Sequence, residues 1–283
     1  MFAGFMLNTW IVATMVAIVA GFVGFFVVIR RSAFAAHALP LGAFPGAAAA
    51  NLLGMNEILG LMVFAGLGVV IISRLARRDR HEVATALFLV TSLALGTLFL
   101  SMTREYSQGV YALLFGEVLG ISASQIPLVA VVSVIVVATA GLLFRPLLLD
   151  SISPELGAAK GVSSRLMELQ FLTVLALSAA IVLPVVGALL VFSLMVGPAS
   201  AARSLADRPL AAALLSVCIS VATVWVAIGL SYLSNWPVGF FVGALGAVSY
   251  ISGRVYRPYG RTVTGGLGTG SGAAAASRYS RAH

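Results

Sequence analysis

Long apolar blocks that alternate with short arginine-bearing segments are the feature that most constrains this chain. Each block has about 17 to 25 residues, the length that an α-helix needs to cross a hydrocarbon core of about 30 Å. Only 9% of the 283 residues are charged and 60% are hydrophobic, whereas soluble domains carry about 25% charged residues. The pattern therefore predicts an all-α integral membrane protein, a polytopic helical bundle that is embedded in the lipid bilayer.

The blocks predict about eight or nine transmembrane helices. The predicted spans are residues 8–29, 33–53, 57–75, 83–101, 126–144, 168–185, 186–202, 210–233 and 237–253. With nine spans, the arginine clusters that follow the first, third, fifth, seventh and ninth all lie on one side of the membrane. The positive-inside rule makes that side cytoplasmic.

Segment 168–202 is the reason for the alternative count of eight. Both of its flanks are basic, so it crosses an even number of times, yet two spans need about 40 residues and it has fewer. The sequence Leu183-Pro184-Val185-Val186-Gly187 predicts a break between two short helices. We expect neighbouring helices to shield this break, because unpaired backbone groups cannot face lipid.

Outside the spans, the sequence predicts little further structure. We expect residues 1–253 to form one transmembrane domain with an uncleaved first span, and residues 254–283 to form a basic, low-complexity tail that is disordered in the cytoplasm. Segment 106–122 is interrupted by glycine and is expected to form a surface or re-entrant turn.

Sixteen arginines against one lysine, with frequent alanine, are typical of a GC-rich bacterial genome, so we expect a multi-pass protein of the bacterial inner (plasma) membrane.

Several function classes are excluded by what the sequence carries. The net charge of +8 comes from arginines at span ends and not from a basic face with interleaved aromatic residues, so nucleic acid is not an expected partner. The single cysteine, Cys218, cannot form an intrachain disulfide. The sequence has no nucleotide-binding, serine-hydrolase or zinc-protease motif. An intramembrane enzyme, and a permanently bound cofactor, are therefore not expected.

Four segments together resemble the permeases of the zinc- and manganese-type metal ABC importers. They are Phe26-Val27-Val28-Ile29-Arg30-Arg31 with Phe44-Pro45-Gly46, then Leu114-Phe115-Gly116-Glu117-Val118-Leu119, then the loop Ser153–Val162, and finally Val186–Val191 with Gly197–Arg203. The resemblance covers about residues 8–253. It implies a membrane-spanning subunit that imports a divalent cation such as zinc, manganese or iron.

The resemblance also implies partners. Two copies of the permease would pair as a homodimer, two cytoplasmic ABC ATPase subunits would hydrolyse ATP, and an extracytoplasmic solute-binding protein would deliver the cation. The alternative is a secondary transporter driven by an ion gradient. Such carriers usually show internal repeats and ionisable residues at the membrane midplane, and this sequence shows no convincing inverted repeat.

His37 is the candidate metal-pathway residue. Members of the family usually carry an aspartate and a histidine four residues apart in the second span, and the matching positions here are His37 and Leu41. The carboxylate is lost, which leaves the identity of the metal open. His37 is the only histidine inside a predicted span, and an ionisable residue there indicates function. Either it contacts the cation transiently, or it is a neutral imidazole that is hydrogen-bonded to a backbone carbonyl freed by Pro40 or Pro45.

The segment Pro198–Pro209 is the candidate ATPase-coupling loop. It combines a helix-forming run of alanines with Arg203, Asp207 and Arg208, and it ends at a proline. In the family the matching segment is the expected coupling helix. The alternative is that the two arginines only anchor the ends of spans.

Overall fold

The chain folds into a bundle of α-helices in the computed structural model, which describes residues 4–75, 81–102, 116 and 123–256. The helices, numbered in chain order, are α1 (Gly4–Ile29), α2 (Ala33–Leu52), α3 (Glu57–Leu75), α4 (His81–Ser101), α5 (Ile126–Leu142), α6 (Phe144–Ile152), α7 (Pro154–Ala159), α8 (Ser164–Val186), α9 (Ala188–Leu205), α10 (Pro209–Ser234) and α11 (Val238–Val255). A short 3-10 helix, Ala123–Gln125, precedes α5. The prediction of an all-α membrane bundle is confirmed.

Nine of these helices match the predicted spans. Eight are long and apolar enough to cross a bilayer, and the ninth, α9, is a shorter apolar helix. Segment 168–202 seemed too short for two spans. The two helices extend beyond it at both ends, because α8 begins at Ser164 and α9 continues to Leu205. If α9 also crosses, the count is nine, and the orientation with the arginine clusters in the cytoplasm stays a prediction.

The predicted break in segment 168–202 falls at a single residue. Gly187 has φ 91° and ψ 147°, a conformation that side chains disfavour, and it both ends α8 and begins α9. Pro184 stays inside α8, one turn before this joint. Most of α8 near the break is buried, from Ala179 to Val186 apart from Pro184, so neighbouring helices shield the joint as predicted.

Helix α1 lies at the centre of the bundle and packs against α5, α8, α9 and α10. Most of its residues from Val12 to Val27 are buried. A Cβ atom on Gly24 would overlap the backbone of Met195 in α9, and one on Gly21 would lie 2.7 Å from the Cα of Val217 in α10. Small residues thus allow backbone-to-backbone contact, which replaces the hydrophobic drive that lipid does not provide.

Helices α2, α3 and α4 form a second group that packs together by the same means. Gly42 and Gly46 of α2 provide the close approach. Gly46 lies against the carbonyl of Gly60 in α3, and Gly42 makes room for the ring of Phe88 in α4. Helix α2 is also in contact with α8 and α9, so its buried face turns toward the centre of the bundle.

The remaining residues lie outside the described ranges. Segment 106–122, apart from Gly116, and residues 257–283 of the predicted cytoplasmic tail are among them. The domain boundary at residue 253 and the disorder of the tail stay predictions.

Candidate functional site

The imidazole of His37 lies in the second turn of α2, within the bundle. Its Nδ1 atom is buried and has no hydrogen-bond partner. The ring meets Phe192 of α9 edge to face, with centroids 5.6 Å apart and an interplanar angle of 81°. A buried nitrogen without a partner costs about 1–3 kcal/mol, so this position is not explained by stability. The hydrogen bond to a freed backbone carbonyl, one of the two sequence-based interpretations, is not formed with any described residue.

His37 is not part of a multidentate metal site in the described chain. Leu41 occupies the next turn of α2 and is 8% exposed. Nowhere in residues 4–75, 81–102 and 123–256 do three His, Cys, Asp or Glu residues gather in a way that could hold a metal ion. A single imidazole nitrogen suits brief contact with a cation and not tight binding.

The predicted coupling segment is divided between two spans. Residues Pro198–Leu205 form the last two turns of α9, and only Ala206–Arg208 connect it to α10. Pro209 does not end a helix but begins α10, where its missing N–H is not needed. Arg203, Asp207 and Arg208 are all exposed at this end of the bundle.

Two short helices, α6 and α7, lie between α5 and α8 on the same side, and sequence analysis did not predict them. Ser153 caps α7, its Oγ accepting a hydrogen bond from the backbone N–H of Leu156 at 3.5 Å, and Pro154 occupies the first helical position. A serine followed by proline and glutamate is a helix-start signal that was available in the sequence. Helix α7 is largely exposed, with Gly157 as its buried residue.

A buried ion pair fixes these short helices to the core of the bundle. Nη1 of Arg30, at the end of α1, donates a 2.9 Å hydrogen bond to Oδ2 of Asp150 in α6, and the two side chains are 12% and 5% exposed. The hydroxyl of Ser164, at the start of α8, donates to Oδ1 of Asp150 at 2.6 Å. The guanidinium of Arg30 also lies 5.1 Å from the ring centre of Phe171 in α8. Three helix ends thus meet at one carboxylate.

Sequence analysis used Arg30 as a marker of topology and as part of a segment that resembles the family, but it predicted no partner for its charge. The signal that it missed is Asp150, an acid that directly follows the apolar run Leu147-Leu148-Leu149 between two predicted spans. Its partner is 120 residues away in the sequence, so no local pattern could have paired them.

Gly116, from the Leu-Phe-Gly-Glu segment, lies against the joint between α8 and α9. It has φ 76°, and a Cβ atom there would lie 2.5 Å from the carbonyl oxygen of Val185 and 2.6 Å from the backbone nitrogen of Gly187. The other residues of the predicted re-entrant turn lie outside the described ranges. The close approach places Gly116 at the end of α8.

The fold and its arginine-marked face define a polytopic membrane permease. The model of the ABC 3 transport family matches residues 3–256, and the chain belongs to this family. It is 28% identical over 249 residues to the manganese import system permease protein ScaB of Streptococcus parasanguinis, covering 87% of this chain and 89% of that protein. It is 23% identical over 258 residues to the manganese transport system membrane protein MntC of Listeria innocua, covering 90% and 91%.

A solved structure shares the same fold. The structure of PsaBC from Streptococcus pneumoniae in complex with Fab superposes with a TM-score of 0.82 at 23% sequence identity, over 91% of this chain and 93% of the matched chain. The expected fold class, an ABC importer permease bundle, is confirmed.

The ion pair between Arg30 and Asp150 generates a stability prediction. Replacing Asp150→Ala leaves the Arg30 guanidinium buried without its partner, which should lower the free energy of unfolding by about 3–5 kcal/mol. The double variant Arg30→Met with Asp150→Leu removes both charges and should recover most of that loss. Denaturation of the detergent-solubilised chain measures the free energy of unfolding of the single and the double variant.

Ser164→Ala is the control for this experiment, because it removes one hydrogen bond to Asp150 and leaves the ion pair. It should cost about 1 kcal/mol. Equal destabilisation by the single and the double charge variants would show that the unpaired charge is not the source of the effect.

Proposed function

We propose that this chain is the membrane-spanning subunit of an ATP-driven importer of a divalent metal cation, with manganese as the first candidate and zinc and iron as the others. The observation that carries the proposal is the match of nearly the whole bundle, residues 3–256, to one ABC permease family. The named relatives that import manganese support the choice of metal. The cation is cargo, and we expect no permanently bound cofactor.

The proposed complex contains partners on both sides of a bacterial plasma membrane. A separate ABC ATPase would hydrolyse ATP, because the sequence has no nucleotide-binding motif of its own. A solute-binding protein would deliver the cation from the other side, and a second copy of the chain would complete the pathway. The chain itself performs no covalent chemistry.

The path of the cation would pass His37. Imidazole nitrogen is a ligand for manganese, iron and zinc, and the unpartnered Nδ1 of His37 has its lone pair or proton uncommitted to any described group. A single ligand binds a cation weakly, and conduction through a pathway requires weak binding. The leucine at position 41 leaves selectivity to the binding protein and to other parts of the pathway.

The first experiment tests the whole proposal. The test strain lacks the gene for this chain and the other uptake systems for manganese, zinc and iron. Expressing the chain together with the ATPase should restore accumulation of one of these metals. The chain without the ATPase, or with an ATPase inactivated in its nucleotide site, should restore none. Uptake by the chain alone, collapsed by a protonophore while ATP is held constant, would instead indicate the secondary transporter.

The second experiment separates the two interpretations of His37. His37→Phe keeps a ring against Phe192 but removes the nitrogen, whereas His37→Ala removes both. If the imidazole contacts the cation, both variants should lower the initial uptake rate by about tenfold, the equivalent of about 1.4 kcal/mol of lost interaction.

A packing role predicts a different result, in which His37→Phe retains transport and only His37→Ala loses it. The amount of each variant in the membrane is measured by immunoblot, so that a failure to insert is not read as a failure to transport. The further variant His37→Asp with Leu41→His recreates the family's acid–imidazole pair and should shift the preference among manganese, zinc and iron.

Two exposed elements on the arginine-rich side are available to contact the ATPase. One is the end of α9 with its linker, which carries Arg203, Asp207 and Arg208, and the other is α7. We propose the first as a coupling site, as the sequence suggests. Helix α7 is the second candidate, because the ion pair at Asp150 joins the adjacent α6 directly to the central helix. A force applied at α7 would therefore reach α1 and α8.

Charge reversals distinguish these two elements. One variant combines Arg203→Glu with Asp207→Arg, and the matched variant combines Glu155→Arg with Lys160→Glu at the two ends of α7. Disrupting the true coupling site should reduce metal transported per ATP hydrolysed in proteoliposomes by about fivefold or more, the loss of about 1 kcal/mol of contact, while the permease still inserts. If neither variant changes this ratio, neither element couples hydrolysis to transport.

A further inference from the structure

A polar cavity of about 300 Å³ lies between the cytoplasmic ends of α1, α9 and α11. Six residues line it: Val28, Ser200, Arg203, Ser204, Tyr250 and Arg254. Neither the metal pathway nor the ion pair at Asp150 includes this cavity. Its chemistry therefore requires a separate explanation.

The cavity has two positive charges and no lining carboxylate. Arg203 and Arg254 form no ion pair with any acid in the described part of the chain. Two guanidinium groups that share a cavity repel each other unless an anion lies between them. Guanidinium presents its N–H donors in a planar fork that matches the oxygens of a phosphate group.

Hydroxyl groups add further donors. The hydroxyl of Ser204 donates to the carbonyl of Ser200 at 3.0 Å, whereas the hydroxyls of Ser200 and Tyr250 make no hydrogen bond to a described residue. Phosphate accepts several hydrogen bonds at once. The uncommitted donors and the two cations thus define an anion site of the phosphate class.

The position of the two arginines is fixed by close packing of α9 against α11. A Cβ atom on Gly253 would lie 2.5 Å from the Cα of Ala201, and one on Gly197 would lie 2.5 Å from the carbonyl of Gly246. Further along the same seam, the hydroxyl of Ser193 donates to the carbonyl of Gly243 at 3.3 Å. Arg254 directly follows Gly253, so the seam brings both guanidinium-bearing residues to one end of the bundle.

The cavity lies at the level of the boundary arginines, which is the level expected for lipid headgroups. Val28 is two residues from Arg30, one of the arginines that mark the cytoplasmic boundary of the spans. On α11, beside the cavity, Ile251 and Val255 are 58% and 76% exposed, and such apolar side chains on a membrane helix face acyl chains. A molecule with a phosphate group and adjoining hydrocarbon satisfies both surfaces, whereas free phosphate satisfies only the polar one.

We propose that this cavity binds the phosphate of an anionic phospholipid of the cytoplasmic leaflet, with Arg203 and Arg254 holding the headgroup. Basic pockets between transmembrane helices on the cytoplasmic side bind such headgroups in general. The proposal does not depend on which metal the chain carries. It shares Arg203 with the candidate coupling site, so the test below uses Arg254 and Tyr250, which belong to the cavity alone. It adds a lipid ligand to a bundle whose other partners are proteins and a cation.

The test measures lipid retained by the full-length chain. The protein is reconstituted into nanodiscs of phosphatidylcholine that contain 20 mol% phosphatidylglycerol, then released into detergent, and bound lipid is counted by native mass spectrometry. Wild-type protein should retain phosphatidylglycerol in preference to phosphatidylcholine. Arg254→Gln should reduce that retention by about fivefold, since one basic residue near an anionic lipid contributes about 1 kcal/mol.

Arg74→Gln is the matched control, because Arg74 is an exposed arginine in the last turn of α3 on the same side of the membrane but outside the cavity. It should leave retention unchanged. Arg254→Lys keeps the charge and should retain an intermediate amount of lipid. Tyr250→Phe removes one hydrogen-bond donor without altering charge and should reduce lipid retention by about twofold. It replaces Arg254→Gln as the test variant if Arg254→Gln fails to fold.

Three results would overturn the proposal. Equal losses for Arg74→Gln and Arg254→Gln would show a general electrostatic effect. Displacement of the retained lipid by 10 mM inorganic phosphate, with equal thermal protection by phosphate alone, would assign the site to a free anion. Unchanged lipid retention with loss of ATPase copurification in Arg254→Gln would assign the cavity to a protein interface.

Discussion

Contact between helix backbones is the constraint on which this structure depends. In lipid, an apolar side chain gains little by moving from acyl chains to another helix, so association depends on close packing and a few polar contacts. Two of the positions where α1 meets its neighbours most closely are glycines, Gly21 and Gly24, and at Gly24 there is no space even for a methyl group. The same device recurs between α2 and α3 and between α9 and α11. Each seam fixes the relative height of two helices and therefore the level at which their side chains meet.

Polar groups within the bundle divide into two kinds because of this constraint. Asp150 is fully engaged, with Arg30 on one oxygen and Ser164 on the other, and such a network is stable only when each charge is compensated. His37 is the opposite case, since its buried nitrogen has no partner. The network at Asp150 holds helix ends together, whereas Nδ1 of His37 has no hydrogen-bond partner and stays available as a ligand atom. A buried polar atom that does nothing for stability is the kind of group that a transported cation can use.

Much of the fold was predictable from the sequence, and the reasons are physical. The length of a span is set by bilayer thickness, and arginines are costly in hydrocarbon, so the nine helices and their orientation follow from local composition. The break at Gly187 was predicted within a few residues because a proline and a glycine, Pro184 and Gly187, lie three positions apart there. The ends of α8 and α9 were not predicted, because residues such as Ser164 and Arg203 extend the helices beyond the apolar blocks that define a span.

The site was less predictable, because its contacts join distant segments. His37 could be singled out as an ionisable residue in a span. That no group of three His, Cys, Asp or Glu residues forms around it among the described residues is a property of the packed bundle. The pairing of Arg30 with Asp150 and the meeting of Arg203 with Arg254 depend on which helix ends are neighbours, which composition does not encode. Gly187 itself has a mechanical consequence. Because α8 and α9 share one residue as their joint, α9 is a lever of about 27 Å, at 1.5 Å per residue, and a pivot of about 10° at Gly187 would displace its far end by about 5 Å.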